Sequence, residues 1–181
     1  MEGAVRSAVL ELLVEGGYEA VSFREVAARA GVGQPTVYRR WATKAELVEF
    51  AVFAVAEWAP PKPSGNLEKD LKRLADAMLD GLLAPAIHAA LAGLTLDHYD
   101  APEGQTMLRA WAEVPVFDGF AAIVEAAGLP GNLKASDLRA VFDSFLGSIT
   151  YTVLTREAST SRKWAKNAAR ISDRALRGLA L

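Results

Sequence analysis

A tripeptide, Gly31-Val32-Gly33, cuts an otherwise helix-forming stretch into two short pieces, and no other feature constrains the fold of this chain as tightly. Ahead of it, Ser22-Phe23-Arg24-Glu25 reads as a capping box, in which the Ser22 hydroxyl and the Glu25 carboxylate satisfy reciprocal backbone amides. Phe23, Val26, Ala27 and Ala30 then form an inward stripe of about two turns. Behind the glycines, Gln34-Pro35 opens a third helix that is expected to run to about Trp41, because proline is tolerated in a first turn. Val5, Val9, Leu12 and Leu13 put one apolar face on a first helix, which Gly16-Gly17 stops. Thr43-Lys44-Ala45-Glu46 is a second capping box, opening a fourth helix to about Trp58. Two short helices joined by a glycine turn and braced by a third predict a helix-turn-helix head.

The rest of the chain is expected to be helical too. Alanine fills 34 of the 181 positions and leucine 22, against 14 glycines and 8 prolines. Ala59-Pro60-Pro61-Lys62-Pro63-Ser64-Gly65 permits neither helix nor central strand, so it marks a boundary between residues 1–58 and 59–181. Beyond it, Asn66 caps a helix through Leu67, Leu71, Leu74, Met78 and Leu82, and Pro85 restarts the chain for a helix near Ala86–Leu96. A polar loop is expected at Asp97–Gly104, and a helix from about Gln105 to Ala127 that Pro115 kinks or splits. Ser136-Asp137 starts a long helix with Leu138, Val141, Phe142, Phe145, Ile149 and Val153 on one face. Ser161 starts a last one with Trp164, Ala168, Ile171, Ala175 and Leu179. The prediction is all-α: a three-helix head, joined by helix 4 to a C-terminal helical bundle, with about nine helices altogether.

Several function classes drop out early. The chain has no cysteine, which removes disulfides, thiolate metal sites and a cysteine nucleophile. Met1-Glu2-Gly3 carries no secretory pattern, and the longest apolar run, Phe50–Ala56, is too short for a bilayer, so a cytoplasmic protein is expected. His88 and His98 lack metal-ligand spacing, and there is no GxSxG, P-loop or GxGxxG. Neither an enzyme nor a cofactor or metal is expected.

Charge points elsewhere. The chain carries −2 overall, but Ser22–Lys44 holds Arg24, Arg29, Arg39, Arg40 and Lys44 against Glu25 alone, a local +4. Screening over about 8 Å makes that local field matter more than the total. At 100° per residue, Val37 and Trp41 point inward while Pro35, Thr36, Arg39 and Arg40 point outward. Such a helix is slim enough for a B-DNA major groove about 12 Å wide.

Residues Phe23–Leu47, FREVAARAGVGQPTVYRRWATKAEL, resemble the DNA-binding head of the TetR family of transcriptional regulators, and the likeness extends over residues 4–58. The remainder resembles the family's ligand-binding and dimerisation domain in length and helix order, as in DSFLGSITYTVLT and ARISDRALRGLAL. The resemblance implies that Gln34, Pro35, Thr36 and Arg39 approach base edges, while Tyr38, Arg40 and Lys44 hold phosphates; Ser22 and Arg24 add backbone contacts. Side-chain chemistry agrees, since Gln suits adenine, Arg suits guanine, and Pro35 or the Thr36 methyl suits thymine. Gly33 stands where the family commonly has a serine-like cap, and only Met1–Gly3 precede Ala4 where many members carry a basic arm, so either minor-groove contacts from an arm are not made or the arm is missing from this sequence.

In the second module, Met78, Leu82, Trp111, Phe117, Phe120, Phe142 and Phe145 are candidates to line a pocket for an apolar or amphipathic effector. Phe145, Ile149, Val153, Trp164, Ala168, Ile171 and Ala175 are candidates for a homodimer interface built as a four-helix bundle. The leading expectation is a dimeric repressor on an inverted-repeat duplex, released by a small molecule. The alternatives are a helical carrier or enzyme that keeps an inert helix-turn-helix, and an interaction adaptor.

Overall fold

A computed structural model describes residues 1–53, 59–99 and 113–181, and among these it contains nine α-helices and no strand. By packing they fall into two units that do not follow chain order: residues 1–53 with 84–99, and residues 59–83 with 113–181.

The first unit holds α1 (Glu2–Ala20), α2 (Phe23–Ala30), α3 (Gln34–Tyr38), α4 (Lys44–Phe53) and α6 (Pro85–Tyr99). Gly17 breaks α1 at φ 70°, a left-handed backbone open to glycine, so the expected stop appears as a kink inside one element. Val5, Val9, Leu12 and Leu13 are buried, together with Val26, Ala27, Val37, Trp41, Leu47, Val48, Ala51 and Val52. Ala90 and Leu94 of α6 close the same core, against α1 and α4. That attachment keeps α6 helical to Tyr99, so Asp97 is not in the expected loop; residues 100–104 lie outside the described residues. The expected end of helix 4, residues 54–58, lies outside them as well.

The second unit holds α5 (Leu67–Leu82) and three further helices, here α7 (Val114–Ala126), α8 (Ala135–Thr155) and α9 (Ala158–Leu179). Asn66 caps α5 by accepting from the Lys69 amide at 3.1 Å. Pro115 sits in the first turn of α7; the expected helical stretch before it, from residue 105 to 112, lies outside the described residues. Leu67, Leu71, Leu74, Leu79, Phe120, Ile123, Phe142, Phe145, Ile149 and Leu176 make the core.

Two expectations at the C-terminus need correction. Ser161 does not start the last helix, which begins at Ala158; its buried hydroxyl instead donates to the Thr152 and Glu157 carbonyls, both at 3.2 Å. The inward face of α9 is also not the Trp164–Ile171–Leu179 row, whose three members are exposed. It is Ala165, Ala168, Ala169 and Ser172, small side chains that let α9 lie close on α8 and α5, together with Leu176.

Candidate nucleic-acid interface

Local chemistry sets the helix-turn-helix. Ser22 caps α2, its Oγ accepting from the Glu25 amide at 3.2 Å. The other half of the expected box is not made: the Glu25 carboxylate accepts from Arg24 Nε at 3.1 Å. Gly31 ends α2 in the left-handed region at φ 66°, where a side chain would strain the backbone. Gly33 precedes α3 without a side-chain cap, as its residue type dictates. At α4 the Glu46 amide donates to Thr43 Oγ1 at 3.1 Å, while the Glu46 carboxylate reaches back to the Ala42 amide at 2.7 Å.

Regular helix in α3 ends at Tyr38, shorter than the expected run to Trp41. Arg39 stays αR, and the Arg40 and Trp41 amides share the Val37 carbonyl at 3.0 and 3.1 Å, so the last turn tightens but keeps its course. Val37 and Trp41 point into the core as predicted. Gln34, Pro35, Tyr38, Arg39 and Arg40 are exposed, and Thr36 and Ser22 are half-buried. Tyr38 stacks on Phe23 with ring centroids 4.2 Å apart, which fixes its ring while 54% of the residue stays open to solvent.

The cations differ in their surroundings. Arg29, counted above in the local +4, is tied to α1 by Glu15 at 2.7 Å and Glu11 at 3.6 Å. Its hydrogen bond to Glu15 holds the guanidinium above its usual range. Arg24 pairs with Glu25, and Arg40 pairs with Glu2 at the start of α1. Lys44 pairs with Glu19 at 3.6 Å and stands over the Tyr18 ring. Arg39 is exposed and has no acidic partner among the described residues. Sequence reasoning missed Glu2, Tyr18, Glu19 and Asp97 as neighbours of these groups. None of them has a local spacing that would reveal it.

The other candidates lie in the second unit. Phe120, Phe142 and Phe145 are fully buried and pack edge-on or tilted at 5.4 to 5.5 Å, with Phe117 against Phe142 at 5.0 Å. Met78 is buried and Leu82 half-buried; Trp111 lies outside the described residues. Among the interface candidates, Phe145, Ile149, Val153 and Ala168 are taken up by the chain's own core. Trp164 and Ile171 are exposed and Ala175 is half-buried.

Residues 6–51 match the family described as bacterial regulatory proteins, tetR family, and residues 61–171 match the tetracyclin repressor-like C-terminal domain. The chain belongs to the TetR family. A DNA-binding transcriptional repressor TetR of Mycobacteroides abscessus is 30% identical over 173 residues, covering 83% of this chain and 90% of that protein. An uncharacterised helix-turn-helix-type regulator of Mycobacterium bovis is 42% identical over 76 residues, covering 41% of this chain and 38% of that relative's length. Two solved structures share the TetR-family fold: a regulator from Mesorhizobium loti (TM-score 0.65, 15% identity, 94% of both chains) and MexZ, a repressor responsible for antibiotic resistance in Pseudomonas aeruginosa. The latter has a TM-score of 0.62 and 18% identity, covering 99% of this chain and 97% of its own. No single helix among the described residues is long and apolar enough to cross a membrane.

Proposed function

We infer that this TetR-family chain is a cytoplasmic, non-enzymatic repressor, in which residues 1–58 bind duplex DNA and residues 59–181 dimerise and bind an apolar or amphipathic effector. The observation that carries the reading is the outward face of α3. Gln34, Pro35, Tyr38, Arg39 and Arg40 stand in solvent on a short rod whose inner side, Val37 and Trp41, is locked into the head. Gln34, Pro35, Thr36 and Arg39 meet base edges; Tyr38, Arg40 and Lys44 take phosphates, with Ser22 and Arg24 adding backbone contacts. Arg39, without an acidic partner among the described residues, is the cation best prepared for guanine O6 and N7.

One such rod reads too few base pairs, so two heads act together, spaced about 34–36 Å or a multiple along the duplex. Trp164, Ile171 and Leu179, exposed on α9 with Tyr151 and Leu154 of α8, supply the apolar face for the partner. The match of residues 61–171 to the tetracyclin repressor-like C-terminal domain supports an effector, which would weaken DNA binding some 5- to 150-fold at a coupling of about 1–3 kcal/mol. With about three or four phosphates neutralised per head, the salt slope of binding is near −5 to −7.

Selection of bound fragments from random duplex DNA is expected to return an inverted repeat. Arg39→Glu with Arg40→Glu should abolish that binding and leave the helical circular dichroism and the dimer intact. Failure of the unaltered protein to retain any duplex at low salt, without effector, would overturn the reading.

A further inference from the structure

Tyr18, at the end of α1, is touched by two other elements of the first unit, α4 and α6. Its hydroxyl donates to Asp97 Oδ2 of α6 at 2.5 Å, and its ring lies 4.1 Å from Lys44 Nζ at the start of α4. Gly93 of α6 lies so close that a Cβ there would fall 2.2 Å from the ring carbons Cγ and Cδ1. Tyr18 is only 8% exposed. Its phenol is pushed well above the usual tyrosine range, first by burial and then by Asp97, so it stays a neutral donor at any working pH. Among the described residues, Lys44 forms an ion pair with Glu19, to Oε2 at 3.6 Å. The Glu19 side chain is 93% exposed and therefore strongly screened.

We propose that Tyr18 is a positioning residue for the DNA-phosphate contact of Lys44, its ring holding the ammonium in place while Asp97 and Gly93 of α6 fix the ring. The proposal rests on the reading of Lys44 as a phosphate ligand. A lysine ammonium rides on a flexible four-carbon stem and loses that freedom when it binds. An aromatic face that already holds it removes part of the cost before DNA arrives. Glu19 occupies the position on the solvent side that a phosphate takes over, and its exposure makes the exchange easy. The effect is on one phosphate contact, not on base choice.

The test uses the intact protein and the duplex selected above. In the free protein, ring current should place the Lys44 ε-methylene resonance upfield of exposed lysines in the wild type and in Tyr18→Phe, and Tyr18→Leu should return it to the exposed position. On DNA, Lys44→Ala should lower the salt slope by about 0.9 per head. Tyr18→Leu should weaken binding about three- to tenfold and lower the slope similarly, and the double variant should lose little more. Tyr18→Phe keeps the ring and should restore the slope. Should Tyr18→Leu fold poorly, Tyr18→Met serves instead, since it fills much of the same space with a flexible apolar chain and has no ring: loss of the upfield shift and weaker binding support the proposal. A folded Tyr18→Leu or Tyr18→Met variant with an unchanged Lys44 resonance and an unchanged salt slope would overturn it. A Lys44→Ala variant with the wild-type slope overturns the phosphate reading of Lys44, and the proposal with it.

Discussion

Asp70, 1% exposed on α5, is a carboxylate whose pKa burial alone would push up. The Ser64 amide at 2.6 Å, the Ser64 hydroxyl at 2.8 Å and Arg73 at 3.2 Å outweigh that penalty and hold it below its usual range. Arg73 also donates to the Lys62 carbonyl at 3.0 Å, so one residue pair ties the proline-rich segment to the helix after it. Because the folded carboxyl binds its proton less readily than the unfolded one, its contribution to stability is full above the ordinary carboxylate range and is lost as pH falls toward the depressed value. Asp70→Ala should therefore lower stability at neutral pH by about 1–3 kcal/mol, the cost of a buried donor left without its partner. Thermal melts from pH 7 down to pH 3 should show the gap to wild type narrowing; a gap that does not change with pH would refute this account.

Among elements, the connection between α7 and α8 makes the sharpest demand on residue type. Gly131 adopts φ 91°, and a Cβ there would lie 1.9 Å from the carbonyl oxygen of Ala180, at the end of α9. Gly128, at φ 56°, has open space where its Cβ would be. Gly128→Ala should cost only the left-handed strain, about 1–2 kcal/mol. Gly131→Ala must add displacement of the α9 terminus, and its melting temperature should fall further by several degrees, at about 2–4 °C per kcal/mol. Equal losses in the two variants would mean that the α9 end yields freely. The same elements show why some of the fold was legible and some not. Ser22, Gly31, Asn66 and Pro85 act on backbone within a turn of themselves, so their positions announce helix ends. Ser161 has the residue type of a cap but gives its hydroxyl to Thr152, nine residues back, and nothing local marks that partner. On α9 the bulky Trp164, Ile171 and Leu179 read as the core side, whereas close packing selects the alanine row. In the head, α3 was legible by its inward Val37 and Trp41, while the Tyr18–Asp97 bond joins residues 79 apart in the chain and leaves no periodic trace.

For the whole molecule, the proposed dimer depends on a face that the chain itself leaves open. Ile171, 57% exposed near the middle of α9, is its natural test. Ile171→Glu would bury a charge at the centre of that face, and sedimentation should show monomer at micromolar concentration with the helix content kept. Operator affinity should fall by more than tenfold, because the two half-sites would be read separately. A dimer that survives this substitution would place the interface elsewhere. The first unit has a separate consequence for engineering. Ala90 and Leu94 seal the head from a stretch of chain that returns after α5, and Asp97 comes with them. A chimaera that grafts this head onto another regulator by a single cut near residue 58 would leave the seal behind and expose Tyr18 to water. A working transplant has to carry both pieces, the opening helices and the returning one, as a matched pair.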